Sequence, residues 1–75
     1  MTRLGSYAGS EVVGAFQRAG WTISRQRGSH VILTKAGSEA TLSVPVHKGK
    51  TVKRGTLNDL IKDAGLISEE FVALV

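Results

Sequence analysis

The stretch Arg27-Gly28-Ser29-His30-Val31-Ile32-Leu33 decides the fold of this chain. Its Gly-Ser pair is typical of a tight turn, because glycine accepts a positive φ and serine bonds readily to nearby backbone. The apolar residues that follow predict a strand over His30 to Lys35. Before the turn, Thr22 and Ile23 are β-branched, which favours another strand over residues 21–27. The turn then joins these two strands in antiparallel fashion.

A third strand is predicted over Ala40 to Val46, after a hairpin loop at Ala36-Gly37-Ser38. Apolar and polar residues alternate along it, as in a strand with one buried face. Pro45 has no backbone N–H to donate, so we place it on an edge or near the strand's end. Because the connecting loops are short, the three strands form an antiparallel meander.

The first strand must contain an irregularity, because regular alternation would place two arginines on its buried face. Arg25 and Arg27 have the same parity as Trp21 and Ile23, and we expect Trp21 in the core. A bulge, or the end of the strand, must therefore move the two arginines off the buried face.

Two amphipathic helices flank the predicted sheet. The first is expected to begin with Ser10 as its N-cap, to carry Glu11 in its first turn and to end at Gly20. The second is expected to begin at Thr56 and to end at Gly65. Thr56 and the aspartate three residues later together resemble a capping box. Their apolar residues recur at helical spacing: Val12, Val13, Phe16 and Ala19, then Leu57, Leu60, Ile61 and Ala64.

The two ends of the chain complete the predicted fold. Residues 1–9 are predicted to be a flexible lead-in, and residues 10–75 a single domain. Ser68 is expected to cap a short last helix. The prediction is an α+β domain with a helix, a three-stranded antiparallel sheet, a helix and a short C-terminal helix, similar to double-stranded-RNA-binding domains.

Composition excludes several classes of protein. The chain has 75 residues, enough for one small domain, and no cysteine, which excludes disulfides and thiolate metal sites. No apolar run is long enough to span a membrane, and the first residues lack the apolar segment of a secretory signal. We therefore expect a cytoplasmic protein.

The formal net charge of +4 is unevenly distributed. Between Arg18 and Arg54 lie eight cations and one anion, whereas four anions and one cation lie from Asp59 onward. A basic patch attracts polyanions and releases their counterions on binding, so this pattern favours a nucleic-acid partner.

His30 is the first candidate for chemistry, because an imidazole gains or loses a proton near neutral pH and this one follows two arginines. Those arginines are placed to clamp a phosphate, and the glycine lets a phosphate approach the backbone closely. The residues predicted to contact RNA at this turn are Arg25, Arg27, Gly28 and Ser29.

A second basic cluster precedes the second helix, where backbone N–H groups at the helix start also attract anions. We expect this cluster to bind phosphate, with a solvated basic loop as the alternative. Its members are Lys48, Lys50, Lys53, Arg54 and Thr56.

An ordered set of motifs resembles the HicA toxin family. The motifs are Arg25-Gln26-Arg27-Gly28-Ser29-His30, Val44-Pro45-Val46-His47-Lys48-Gly49-Lys50, Lys53-Arg54-Gly55-Thr56-Leu57 and Asp63-Ala64-Gly65-Leu66 with Ser68-Glu69-Glu70-Phe71. Ser10-Glu11-Val12-Val13 and Ala19-Gly20-Trp21 match the family's opening, so the resemblance covers roughly Gly9 to Val75. Each motif is weak alone, and the ordered set is specific. One departure is Val31, where many relatives carry a polar or basic residue.

The resemblance implies a function and a partner. HicA proteins are small toxins that cleave mRNA, with a fold similar to the double-stranded-RNA-binding domain, and a cognate HicB antitoxin neutralises them. The family's essential histidine corresponds to His30. We therefore expect an mRNA substrate and a HicB-like antitoxin, with the toxin a monomer when free and part of a hetero-oligomer with its antitoxin.

The chemistry expected of His30 needs neither metal nor cofactor. RNA carries its own nucleophile, the 2′-hydroxyl, so cleavage requires a base, an acid and cations near the phosphate. The acidic residues fall mostly on the C-terminal helices rather than in a Mg²⁺-binding cluster. We predict metal-independent cleavage with His30 as general acid or base, leaving a 2′,3′-cyclic phosphate and a 5′-hydroxyl.

His47 is the second candidate for proton transfer. If Val31 and Leu33 face the helices, strand alternation places both histidines on the outer face of the sheet, although the strand register is not determined by the sequence. The alternative is that His47 contacts only phosphate or solvent.

Two other functions remain open. A non-catalytic double-stranded-RNA-binding module would use the same cations and needs no titrating group at His30. A small adaptor would bind protein through its sheet and leave the uneven charge without a role.

Overall fold

The computed structural model describes residues 4–75. Its elements are α1 (Gly9–Arg18), β1 (Thr22–Arg27), β2 (His30–Thr34), β3 (Leu42–Pro45), α2 (Arg54–Asp63) and α3 (Ser68–Leu74). The strands form one antiparallel sheet in the order β1-β2-β3. This arrangement confirms the predicted α+β, double-stranded-RNA-binding-domain-like layout.

One face of the sheet carries the core. Every second side chain of β2 and β3 faces inward and is apolar, and these side chains pack against the apolar stripes of the helices. The strand period of two and the helical period of 3.6 therefore contribute to one buried cluster. Full burial of a side chain such as leucine or phenylalanine contributes about 1.5–3 kcal/mol. The largest fully buried residues are Phe16, Phe71, Leu33, Leu42, Leu57, Val12 and Val44. Trp21 is also buried, as predicted.

A β-bulge in β1 directs its arginines to the outer face. Ile23, itself exposed on this edge strand, pairs with the buried Leu33, but Arg25 pairs with Ile32, so the register shifts between Ile23 and Arg25. Partners in an antiparallel pair share a face, which puts Arg25 and, two residues on, Arg27 on the side away from the helices. The irregularity predicted from the parity of β1 is confirmed.

The predicted N-caps of α1 and α3 are wrong by one or two residues. α1 begins at Gly9 with Ala8 as its N-cap, and the Glu11 carboxylate accepts the Ala8 N–H at 2.9 Å, so Ser10 lies within the first turn. In α3 the N-cap is Ile67 rather than Ser68. There the Glu70 carboxylate accepts the Ile67 N–H at 3.0 Å. In both helices, a glutamate three residues past the cap stabilises the start without a hydroxyl.

α2 also begins earlier than predicted. Its first residue is Arg54 and its N-cap is Lys53, with no side-chain hydrogen bond at the cap, so the predicted capping box of Thr56 with Asp59 is wrong. The Lys53 carbonyl accepts the Leu57 N–H at 2.9 Å and closes the first turn. Lys53 and Arg54, which were expected to precede the helix, therefore belong to its start.

The predicted C-terminal ends of α1 and α2 are confirmed. Gly20 and Gly65 each follow the last helical turn with a positive φ. In both places the N–H of the glycine and that of the next residue donate to carbonyls of the last helical turn, which satisfies acceptors that the helix leaves open.

The segment from Leu4 to Ala8, here called the N-terminal segment, packs on the domain. Leu4 is buried, and the Tyr7 ring meets the Phe71 ring edge-on with centroids 5.6 Å apart. Ala8 forms an antiparallel bridge with Thr51. Residues 1–3 of the predicted flexible lead-in lie outside the described residues, whereas Leu4 belongs to the core and Tyr7 packs against it. Within residues 4–75, no helix combines the length and apolar character needed to cross a membrane.

Candidate functional site

His30 is held at the end of a tight turn. It is the first residue of β2 and pairs with Arg27 of β1 and Pro45 of β3. Gly28 makes the turn possible, since its φ of 58° lies in the left-handed region that other residues avoid. Since Val31 faces the core, the alternation of β2 points the His30 side chain to the outer face, where it is exposed.

His47 lies beside His30. It follows β3 by two residues and is exposed. The Val46 N–H donates to the Ser29 carbonyl at 2.6 Å, which ties the end of β3 to the turn that holds His30. The two imidazole rings have centroids 6.5 Å apart and planes at 80°. Strand alternation offered the outer face for both histidines without determining the register, and the structure makes them neighbours.

An open groove of about 570 Å³ runs past His30 on the outer face of the sheet. Its lining includes Arg27 and Gly28 from the set predicted to contact RNA. Arg25 lies on the same face, opposite Ile32, but does not line the groove. Ser29 contributes its carbonyl to the Val46 hydrogen bond and is half-buried. The turn therefore offers one arginine at the groove and a second arginine farther along β1.

A second groove, of about 250 Å³, lies beside His47 between the end of β3 and the start of α2. Two lysines from the predicted basic cluster reach it, together with Thr56 in the first turn of the helix. The lining residues are Pro45, His47, Lys50, Thr51, Val52, Lys53 and Thr56. Because the first backbone N–H groups of a helix have no partner within it, this end of α2 adds positive potential to the groove.

The remaining members of the basic cluster have other positions. Lys48 is exposed and does not line the groove. The Arg54 guanidinium donates to the Leu4 carbonyl at 3.4 Å, so this side chain contacts the N-terminal segment. Of the five predicted residues, Lys50, Lys53 and Thr56 thus lie together beside His47.

Thr51 and Val52 form part of the second groove but were not singled out from the sequence. Thr51 bridges to Ala8, and the Val52 N–H donates to the Tyr7 carbonyl at 2.8 Å. These contacts join segments far apart in the chain, and no periodicity around Thr51 signals them. In the part of the chain that the structure describes, no group of three or more His, Cys, Asp or Glu side chains is arranged to hold a metal ion.

A family model described as "HicA toxin of bacterial toxin-antitoxin" matches residues 9–66. The chain belongs to the HicA toxin family. It is therefore a toxin of a toxin–antitoxin system, and membership implies a cognate antitoxin. The match runs from the start of α1 to just beyond the end of α2 and includes both histidines and both grooves of this HicA toxin. No curated protein matches the chain.

Proposed function

We propose that this toxin is an endoribonuclease that cleaves mRNA in the cytoplasm, with His30 as a general acid or base. The observation that carries the proposal is the position of His30, an exposed imidazole at the edge of one cation-lined groove and next to another. An imidazole, a side chain suited to proton transfer, is thereby placed where a polyanion would bind.

The grooves supply the contacts that RNA phosphates need. Arg27 lies beside His30, while Lys50 and Lys53 lie beside His47. An arginine fork contacts two phosphate oxygens at once, and lysines add point charges. We assign phosphate binding to these residues, to Gly28 and Ser29 at the turn and to Thr56 at the start of α2, with the outlying cations Arg25, Lys48 and Arg54 extending the basic surface.

The proposed reaction uses the substrate's own nucleophile. His30 either removes the proton of a 2′-hydroxyl as that oxygen attacks phosphorus, or protonates the departing 5′-oxygen. The cations stabilise the charge that develops on the phosphate oxygens. Because protein side chains carry the proton transfers, we expect cleavage without a metal ion, giving a 2′,3′-cyclic phosphate and a 5′-hydroxyl.

We also propose how the antitoxin acts. A HicB-like protein that forms a hetero-oligomer with the toxin would neutralise it by covering His30 or the basic surface. Such a partner would present acidic groups, because complementary charge speeds association and sets the register of docking. The free toxin is proposed to be a monomer.

A non-catalytic double-stranded-RNA-binding module is the second candidate, favoured by the fold and by the basic residues at the start of α2. The two functions differ at His30. A binding module depends on the cations and tolerates loss of the imidazole, whereas the nuclease does not.

Induced expression in a bacterial host tests the proposal. Wild type, His30→Ala and Thr34→Ala would be compared for growth and for mRNA integrity. Thr34 is an exposed residue on the same face of β2, so it controls for the effect of truncating that surface. We expect growth arrest and mRNA loss with wild type and Thr34→Ala only. Arrest by His30→Ala with equal mRNA loss would contradict a catalytic His30.

A further inference from the structure

We propose that His47 is a second catalytic residue, so that His30 and His47 act as an acid–base pair on one phosphodiester. This inference rests on the proposed nuclease function and deepens it. The proposed function gives a proton transfer to His30 alone. The present inference assigns the other proton transfer to His47.

The chemistry requires two proton transfers at different atoms. When a 2′-hydroxyl displaces the 5′-oxygen in line, the attacking and leaving oxygens lie on opposite sides of phosphorus. A proton-transfer group must come within about 2.6–3.2 Å of the atom it serves. One imidazole fixed at the turn cannot stand beside both oxygens at the same moment, so a second group is needed.

The spacing of the two rings suits a phosphate between them. Centroids 6.5 Å apart are too distant for a direct hydrogen bond of about 3 Å between ring nitrogens, even after the size of the rings is considered. The planes lie at 80°, so the rings do not stack against each other. Two exposed imidazoles at this separation leave a gap that a tetrahedral phosphate can enter from solvent.

Backbone contacts hold this spacing. His30 pairs directly with Pro45, two residues before His47. The Val46 N–H donates to the Ser29 carbonyl at 2.6 Å. Val46 precedes His47 and Ser29 precedes His30, so this hydrogen bond joins the two backbone segments that carry the histidines. Both imidazoles therefore stand on one short piece of connected backbone, which limits the change in their separation.

The two grooves supply positive charge on both sides of the gap. His30 lines the groove that contains Arg27, and His47 lines the groove that contains Lys50 and Lys53. A strand whose scissile phosphate lies between the rings would place its neighbouring nucleotides in the two grooves. Such a path needs an unpaired strand, because the 2′-hydroxyl in an A-form duplex is held out of line with the leaving oxygen.

The step balances without a cofactor. The neutral imidazole takes the proton of the 2′-hydroxyl while the O2′–phosphorus bond forms. The protonated imidazole gives its proton to the 5′-oxygen while the phosphorus–O5′ bond breaks. The electron pair of the broken bond leaves with O5′, and the two histidines finish with their protonation states exchanged.

A role for His47 in binding alone makes a different prediction. A histidine that only contacts phosphate contributes to the affinity for RNA, and a lysine at the same position would replace it. A proton carrier instead affects the rate of the bound complex, and lysine does not substitute for it near neutral pH. His47→Lys therefore separates the two roles, and His47→Gln removes the titrating group with little change in size.

The experiment uses a substrate with an altered leaving group. Cleavage sites of the wild type are first mapped on a natural RNA. A short oligonucleotide spanning one site is then made with oxygen or with sulfur at the 5′-bridging position of the scissile bond. A thiolate leaves without being protonated, so only the base is needed on the sulfur substrate. Single-turnover rates at saturating enzyme are measured for wild type, His30→Gln, His47→Gln and His47→Lys, after thermal unfolding shows each variant folded.

We expect every histidine variant to lose about 10²–10⁴-fold in rate on the oxygen substrate. On the sulfur substrate, variants at one histidine regain the wild-type rate, and that histidine is the acid. Variants at the other histidine stay slow, and it is the base.

Three results would overturn the inference. The first is a His47→Gln rate on the oxygen substrate within threefold of the wild-type rate. The second is a His47→Lys variant that keeps the wild-type rate and changes only the affinity for RNA. The third is a sulfur substrate that restores the rate of no variant. A wild type that cuts no RNA is a separate outcome, because it removes the nuclease function itself.

Discussion

The two histidines lie side by side, but different parts of the chain hold their backbone segments in place. The His30 turn, residues 27–30, is a two-residue connection between paired strands, and its contacts come from within the sheet, including the end of β3. The His47 loop, residues 46–53, receives its contacts from the N-terminal segment, through the bridge to Ala8 and the hydrogen bond to the Tyr7 carbonyl. One half of the proposed active site is thus built within the sheet, and the other half also depends on residues near the start of the sequence.

This difference predicts that the two halves can be disturbed separately. Substitutions in the N-terminal segment should disturb the His47 loop more than the His30 turn, because the strand ladder around His30 does not include that segment. Substitutions at the turn should do the reverse. The following predictions test the separation, beginning with the largest expected effect.

Gly9→Ala should have the largest effect. A Cβ at Gly9 would collide with the Pro45 carbonyl oxygen and the Val46 Cα. Both are backbone atoms, so no change of side-chain rotamer relieves the collision. We expect a loss of about 3 kcal/mol in the free energy of unfolding, at the upper end for overpacking, and a shift of β3 next to His47. Urea denaturation measures the loss.

Gly14→Ala is the matched control for Gly9→Ala, since both glycines lie in α1. A Cβ at Gly14 would lie 3.5 Å from the Arg18 side chain, an ordinary contact. Alanine in a helix interior is favoured over glycine, so this variant should be more stable by about 0.5–1 kcal/mol. Equal stability of the two variants would show that α1 does not approach β3 as closely as described.

Leu4→Ala should cost about 2 kcal/mol, near the lower end for a buried leucine, because a terminal segment can partly close the space it leaves. Hydrogen exchange gives the sharper measurement. The Val52 N–H, which donates to the Tyr7 carbonyl, should lose protection, while the amides of β2 keep theirs. Ser6→Ala, at an exposed position in the same segment, should change neither. Uniform loss of protection across the sheet would contradict the separation.

Gly28→Ala tests the His30 turn. Nothing lies within 4 Å of a Cβ built there, so the cost is that of a left-handed φ alone, about 1 kcal/mol. Gly28→Asn should cost less, because asparagine tolerates this conformation. We expect the amide chemical shifts of residues 26–31 to change and those of the His47 loop beyond Val46 to stay in place. Asparagine more destabilising than alanine would refute the assigned backbone geometry.

Lys53→Ala and Arg54→Ala should have the smallest effects and should differ in kind. Lys53 lines the second groove, so its loss should weaken RNA binding and reduce the slope of log K against log salt by about 0.7 if it neutralises one phosphate of a single strand. Arg54 donates to the Leu4 carbonyl, so its loss should also lower stability. The double variant should show both changes. Binding of the double variant unchanged at every salt concentration would exclude this cluster from the RNA interface.

The same contrast determines what the sequence could predict. The bulge that frees Arg25, the outward direction of His30 and the helix ends at Gly20 and Gly65 all follow from parity or from one residue's conformation, so they were predictable. The starts of α1 and α3 were misplaced because Glu11 and Glu70 stabilise them by reaching back to the backbone, where a hydroxyl at the cap was assumed.

The surroundings of His47 were beyond sequence reasoning. Its place beside His30 required the register of two strands, and strand alternation alone offered only a conditional answer. The groove wall at Thr51 and Val52 depends on the N-terminal segment, whose Gly5 and Ser6 suggested a flexible chain. Leu4 and Tyr7 supply the apolar contacts that hold it, and their effect depends on partners remote in sequence.

The most direct test of the account is the chemistry of the cut ends. Purified toxin would be incubated with a natural RNA in excess EDTA, beside His30→Ala and Thr34→Ala, and the ends at each cleavage site identified. The account predicts cutting by wild type and Thr34→Ala but not by His30→Ala, with 2′,3′-cyclic phosphate and 5′-hydroxyl ends. Cleavage that EDTA abolishes, or that leaves 5′-phosphate ends, would contradict proton transfer by histidine as the basis of this toxin's activity.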